Sequence, residues 1–303
     1  MSIVLTVLVG LPVAAATLVL WLAGRRTHDG AALRRARRHD SLITLVATLA
    51  AAATAVLALS LPLAPDRQPS PAAPGVVQAV APFAVAVVHC LVRLAGELTW
   101  PRPSGTVRHA SLARRTVRRT GGTSLTHLAV TATVLTAALL VTGVTAAPDG
   151  RSVAGPPVIL PDGGLLTGSS GPYPGWPYAV PMLAGLAVAL LATLATLRVV
   201  AHRAPLASLD RYQDDALRRT SAARVLAVTH VCVGATTTLT LLVVALAVRN
   251  AGIHQTSAAT TSDPGMLVAA AVSGALAVAV AAGTVVAVVV AGRAHVAVGP
   301  DPR

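Results

Sequence analysis

The chain has 303 residues, of which 54% are hydrophobic and only 12% charged, with a mean hydropathy of +0.70. Ordinary soluble domains carry roughly 25% charged residues, so a chain this long and this apolar is excluded from the soluble single-core class and reads as a membrane protein. The formal charge of +13 comes from Arg alone, since the sequence has no Lys. These Arg residues cluster between apolar segments, which points to membrane orientation and anionic headgroups, not to nucleic acid.

Seven stretches reach the roughly 20 apolar residues that a helix needs to cross a bilayer. They cover about 3–24, 41–64, 76–98, 123–147, 178–200, 225–248 and 266–291. The expected fold is therefore all-α, a polytopic bundle of seven transmembrane helices forming one domain. The first segment has no basic region before it and Arg25-Arg26 directly after it. That is the pattern of a retained span, not of a cleaved leader. A short tail, 293–303, is expected to be disordered.

The third segment carries the only Glu of the chain, Glu97, one helical turn after Arg93. At i,i+4 the two side chains can pair on one helix, which lowers the cost of placing them in hydrocarbon. The structural alternative is an ion pair in the headgroup zone beside Trp100. The functional alternative is a gate or relay at the inner mouth.

The fourth segment opens with Thr126-His127 and has Thr133 seven residues on, on the same helix face. The loop at 148–177 is rich in Gly and Pro and is expected to be irregular. Tyr173, Trp176 and Tyr178 stand at its end, where an interfacial aromatic belt would sit. Loop 201–224 holds Asp214 and Asp215 four residues before Arg218 and Arg219, which predicts a short helical extension.

The sixth segment repeats the fourth. Thr126-His127 and Thr133 match Thr229-His230 and Thr236 at a constant offset. This suggests three helical hairpins followed by a seventh helix, an arrangement common in transporters. In the seventh segment Ala271, Ala275, Ala279, Gly283, Ala287 and Ala291 put a small residue at every fourth position. Such a stripe favours close packing in the bundle, or a homo-oligomer through helix 266–291.

Orientation follows from the loops. Those at 25–40, 99–122 and 201–224, with the tail from 292, hold 19 Arg, against 3 in the alternate loops. By the positive-inside rule the N-terminus is outside and the C-terminus cytoplasmic. Arg93 and Arg198 lie within segments near their basic ends, where long side chains snorkel to headgroups.

The candidate polar intramembrane site consists of Arg93, Glu97, His89, His127, His230, Thr126, Thr133, Thr229 and Thr236. Cys90 and Cys232 read as small buried hydrophobes with free thiols. A haem or metal site needs His89, His127 and His230 to meet, and the sequence offers no HxxxH or HExxH spacing for it. No cofactor is therefore expected. The lack of Lys rules out a retinal Schiff base. There is no P-loop, and with Glu97 as the only acid expected in the membrane, a paired-Asp protease is set aside.

Glu97-Leu98-Thr99-Trp100-Pro101-Arg102-Pro103, with Gly105 and Arg108, and the later Gly171-Pro172-Tyr173-Pro174-Gly175, resemble uncharacterised multi-pass integral membrane proteins of high-GC Gram-positive bacteria. The resemblance implies a source and a layout but no activity. The expectation is thus a non-enzymatic cell-membrane protein, either a small-solute or ion permease or an envelope accessory protein. The alternatives are a haem or metal redox protein and a structural scaffold.

Overall fold

The computed structural model describes residues 31–61, 75–100, 116–159, 163–204, 211–255 and 260–293. Six long helices account for most of these: α1 (Ala31–Ser60), α2 (Val76–Leu98), α3 (Val117–Thr145), α4 (Trp176–His202), α5 (Arg211–Ala251) and α6 (Pro264–Arg293). All six are long and apolar enough to cross a membrane. The first expected span, 3–24, and the tail from 294 lie outside the described residues.

The helices other than α5 bury a stripe or face and expose much of the rest. On α1 the buried stripe runs Ala36, Asp40, Thr44, Ala47 and Ala51, while Leu42, Leu45, Val46 and Leu49 are exposed. Spacings of three and four place the first set on one face. A soluble protein rarely exposes so much contiguous apolar surface; facing lipid tails, the same surface carries no penalty.

The most buried helix is α5, which packs against α2, α3, α4 and α6. Phe83, Leu135, Leu139, Leu186, Leu197, Val225 and Val233 form the apolar core between α2, α3, α4 and α5. By contrast α6 lies along the outside of α5. Gly234 lets the two approach so closely that an added Cβ would collide with Thr284.

Several expectations change. The basic stretches are not simply loops. The part of 25–40 that is described, from Ala31 on, is the first turns of α1, and α5 already begins at Arg211. The extension predicted in 201–224 is therefore a continuous part of α5. Asp214 and Arg218 pair as expected, at 2.8 Å, whereas Arg219 donates to the Asp215 backbone carbonyl.

The loop between α3 and α4 is more ordered than its Gly and Pro content implies. It folds into two short antiparallel pairs, β1 (Val153–Ala154) with β4 (Ser169–Ser170), and β2 (Val158–Ile159) with β3 (Leu165–Leu166). A third pair, β5 (Ile253–Gln255) with β6 (Thr260–Ser262), links α5 to α6. Short hairpins satisfy backbone groups that an irregular loop would have to leave to water.

The small-residue stripe of α6 is also rotated. Ala271, Ala275, Ala279 and Gly283 are exposed, and the face against α5 is instead Ala270, Ala277, Ala287 and Ala291. The regular spacing of small residues was correct, but their first four members face outward.

Candidate functional site

At the end of the bundle where α1 and α5 begin and α2 and α4 finish, five ionisable side chains from four helices come together inside the protein. Asp40 on α1 is the hub. Arg93 donates to its Oδ1 at 2.9 Å, Arg224 on α5 bonds its Oδ2, and the Ser221 hydroxyl lies 3.5 Å from Oδ1. Thr44, one turn along α1, accepts from Arg93 at 2.8 Å and from Arg224 at 3.2 Å.

Glu97 takes the other side of Arg93. Its Oε1 is 3.5 Å from Arg93, and its Oε2 accepts a 2.8 Å bond from Arg203, the residue capping α4. The Arg203 guanidinium lies over the Trp100 ring, 3.8 Å from its centroid. His39 meets the same ring edge-on at 5.6 Å and donates to the Gly96 carbonyl at 3.0 Å. Arg218 completes the end: it pairs with Asp214 and donates to the carbonyls of Val200, Ala201 and Arg203. These are the carbonyls that a helix terminus leaves open.

Burial gives this network its weight. Arg93 is 1% exposed, and Asp40, Glu97, Arg203 and Arg224 are all below 8%. Ions taken out of water cost several kcal/mol each unless they are paired and hydrogen-bonded. Asp40 meets this by bonding Arg93 and Arg224, and Glu97 lies between Arg93 and Arg203. Arg93 and Glu97 are thus enclosed between helices and not exposed on the surface of the bundle. Their i,i+4 contact is also the longest ion pair in the set, and the shorter ones come from other helices.

A second polar group lies deeper. The Cys90 thiol is 3.5 Å from Thr193 Oγ1 and 3.7 Å from Thr229 Oγ1, and the two hydroxyls are 3.0 Å apart. Thr196 donates to the Cys90 carbonyl. His230 is 2% exposed, with Nε2 3.5 Å from Thr131 Oγ1 and Nδ1 unpaired. His89, 1% exposed, lies against the Ala47 backbone with neither ring nitrogen closing a hydrogen bond of normal geometry. Thr236 is buried on α5 and bonds the Cys232 carbonyl one turn back, the usual habit of an intrahelical hydroxyl.

The nine residues expected from sequence thus divide. Arg93 and Glu97 belong to the charged network, and His89, His230, Thr229 and Thr236 are buried in the bundle. Thr126, His127 and Thr133 are exposed on the outer face of α3. The repeat is accordingly not one of environment: His127 faces outward where His230 is enclosed.

Among the described residues no group of three or more His, Cys, Asp and Glu could hold a metal ion. The three histidines are not gathered as the redox alternative requires. Asp40 is a second acid inside a helix long enough to span, which corrects the expectation that Glu97 stands alone. The two carboxylates share Arg93 between them, so they do not form the like-charge pair that acid proteases use.

Sequence reasoning missed Asp40, Arg203 and Arg224 because they fall in Arg-rich stretches read as topology signals. The signal for Asp40 was present: the stripe of α1 continues through Ala36 and Asp40 into the basic stretch without a change of period.

In comparisons with known protein families, curated proteins and solved structures, the chain matches none.

Proposed function

We propose that the protein is a multi-pass cell-membrane protein of the permease type, moving a small solute or ion, with its charged end in the cytoplasm and the network around Asp40 holding that end closed. In this reading segment 3–24 is a seventh span and the N-terminus is outside, as the Arg distribution supports. The group that the sequence resembles, in high-GC Gram-positive bacteria, fits this placement.

The observation that carries the reading is the buried network itself. It joins α1, α2, α4 and α5 through charged side chains, at one end of a bundle whose interior also encloses hydroxyls, thiols and imidazoles. Ionisable residues inside membrane segments are rare and mark pathways or gates by default. Apolar packing of the same volume is often as stable or more so, so stability alone does not account for the network.

The test is flux. Purified protein in liposomes, assayed over a panel of small solutes and ions, is expected to exceed protein-free vesicles. Asp40→Asn and Glu97→Gln are expected to change the rate by tenfold or more, since each releases a clamp on a helix end. A folded protein that moves nothing across the panel removes the permease reading and leaves the envelope accessory role. The exposed Arg residues of α1 and α3 are the expected contact with anionic lipid.

A further inference from the structure

The opposite end of the bundle is closed by different means. The described parts of the loop between α3 and α4, residues 146–159 and 163–175, fold back over the ends of α3, α5 and α6. Its only buried aromatic is Tyr173, 3% exposed, which packs with Val153, Val244, Ala247, Val248, Ala251 and Ala270. The Tyr173 hydroxyl is 2.7 Å from Thr145 Oγ1, and Thr142 donates to the Pro174 carbonyl at 2.8 Å. Tyr173 was expected in an interfacial belt with Trp176 and Tyr178. Instead it is driven into the helix ends, while Trp176 stays 44% exposed.

The distance between the two closures is informative. From Arg224 to Val244, α5 rises about 30 Å at ~1.5 Å per residue. This equals the hydrocarbon thickness of a bilayer, ~30 Å. Between them α5 buries Thr229, His230, Thr236, Thr237 and Thr240, and α4 adds Thr193 and Thr196. Among the described residues, this middle section holds no buried Asp, Glu or Arg. His230 keeps an open Nδ1, and His89 meets only the Ala47 backbone. Buried polar groups without partners are costly and are normally met by water or by a ligand.

We infer that Tyr173 is the outer gate of a path along α5 that admits small, uncharged, hydrogen-bonding solutes. The inference rests on the permease reading for its solute and on the outer cap for its gate. Ions need compensating charge or a ring of oxygen ligands, which the middle section does not supply. A neutral solute needs only donors and acceptors that exchange with its own, and Thr hydroxyls and imidazole rings offer both. Tyr173 is suited to gating because its ring seals by apolar contact while a single hydroxyl bond holds it down.

The gate is tested with a thiol reporter. In a Cys90→Ala/Cys232→Ala background, Thr240→Cys places a thiol just below the Tyr173 cluster. An impermeant methanethiosulfonate reagent applied from outside is expected to label it slowly. Adding Tyr173→Ala is expected to raise the labelling rate by tenfold or more, and Tyr173→Phe, which keeps the ring, by much less. Ala277→Cys, buried between α6 and the far face of α5, is the control for general loosening. Equal rates at Thr240→Cys with and without Tyr173, or an equal rise at Ala277→Cys, would overturn the gate.

The solute class is read from vesicle swelling with glycerol and urea against sodium chloride. Swelling faster than protein-free vesicles with the neutral solutes alone supports the path. Flux of sodium or chloride overturns the solute class but not the permease reading. If neither kind of solute moves while the labelling result holds, the path for neutral solutes falls and Tyr173 remains only a closure, while the permease reading is decided by the wider panel.

Discussion

At the charged end, five ionised side chains hold α1, α2, α4 and α5 together; at the capped end, one tyrosine and a shell of Val and Ala seal a loop onto α3, α5 and α6. The difference lies in how each responds to a missing part. Charges in a low dielectric are compensated as a set, so removing one leaves its partners buried and unpaired. Apolar contacts are lost in proportion to the area removed. The charged end should therefore fail abruptly and the capped end by degrees.

The largest expected effect is at Asp40. Asp40→Ala removes the carboxylate that Arg93 and Arg224 share, leaving Arg93 with Glu97 and Thr44, and is expected to cost ~3–5 kcal/mol, the range for breaking a buried pair from one side, read as thermal unfolding in detergent. Asp40→Asn with Arg224→Gln, which removes a stranded guanidinium as well, is expected to recover part of the loss seen with Asp40→Asn alone. If the double variant is no more stable than that single one, the two side chains do not compensate each other.

Next comes Tyr173. Tyr173→Ala is expected to cost ~3 kcal/mol, near the low end for truncating a buried aromatic, and Tyr173→Phe ~1 kcal/mol, for one hydrogen bond. This graded response is the opposite of that at Asp40. Similar losses for Phe and Ala at 173 would mean that the hydroxyl bond, not the ring, makes the seal.

His127→Ala and Thr133→Ala, on the exposed face of α3, are expected to stay within ~0.5 kcal/mol of wild type, while His230→Ala, in the same repeat position but enclosed, should exceed that. Equal effects at 127 and 230 would restore the symmetry that the sequence repeat implies.

The smallest effect concerns acid. The Arg151 amide, and with it Ser152, donates to the Asp149 carboxylate and holds it below its ordinary range. A depressed carboxylate contributes above its unfolded pKa and loses that contribution as pH falls through the folded value. Acid is thus expected to loosen the turn at 149–152, seen as faster amide exchange there, with Asp149→Asn showing no such pH dependence.

Much of the architecture was legible. Apolar runs long enough to span gave the six described helices to within a few residues in their hydrophobic parts, because length and composition alone decide which segments lipid can hold. Arg93 and Glu97 stood out for the same reason: charge within an apolar run is conspicuous. Asp40, Arg203 and Arg224 did not stand out, since a charge among charges carries no contrast. Tyr173 looked like its neighbours Trp176 and Tyr178 because an aromatic at a helix entrance serves a belt or a plug equally well.

By itself, the sequence determined that the chain is a set of long apolar helices with its cations gathered between them, since the hydrophobic effect acts on each segment independently of its neighbours. The tertiary structure decided which charges point inward, which of two repeated histidines is enclosed, and which face of α6 meets α5. Those choices depend on rotation of one helix against another, and every face of a lipid-compatible helix is nearly as apolar as the next. What fixes the rotation is the pairing of a few polar groups, and a partner four helices away in the chain leaves no periodic trace.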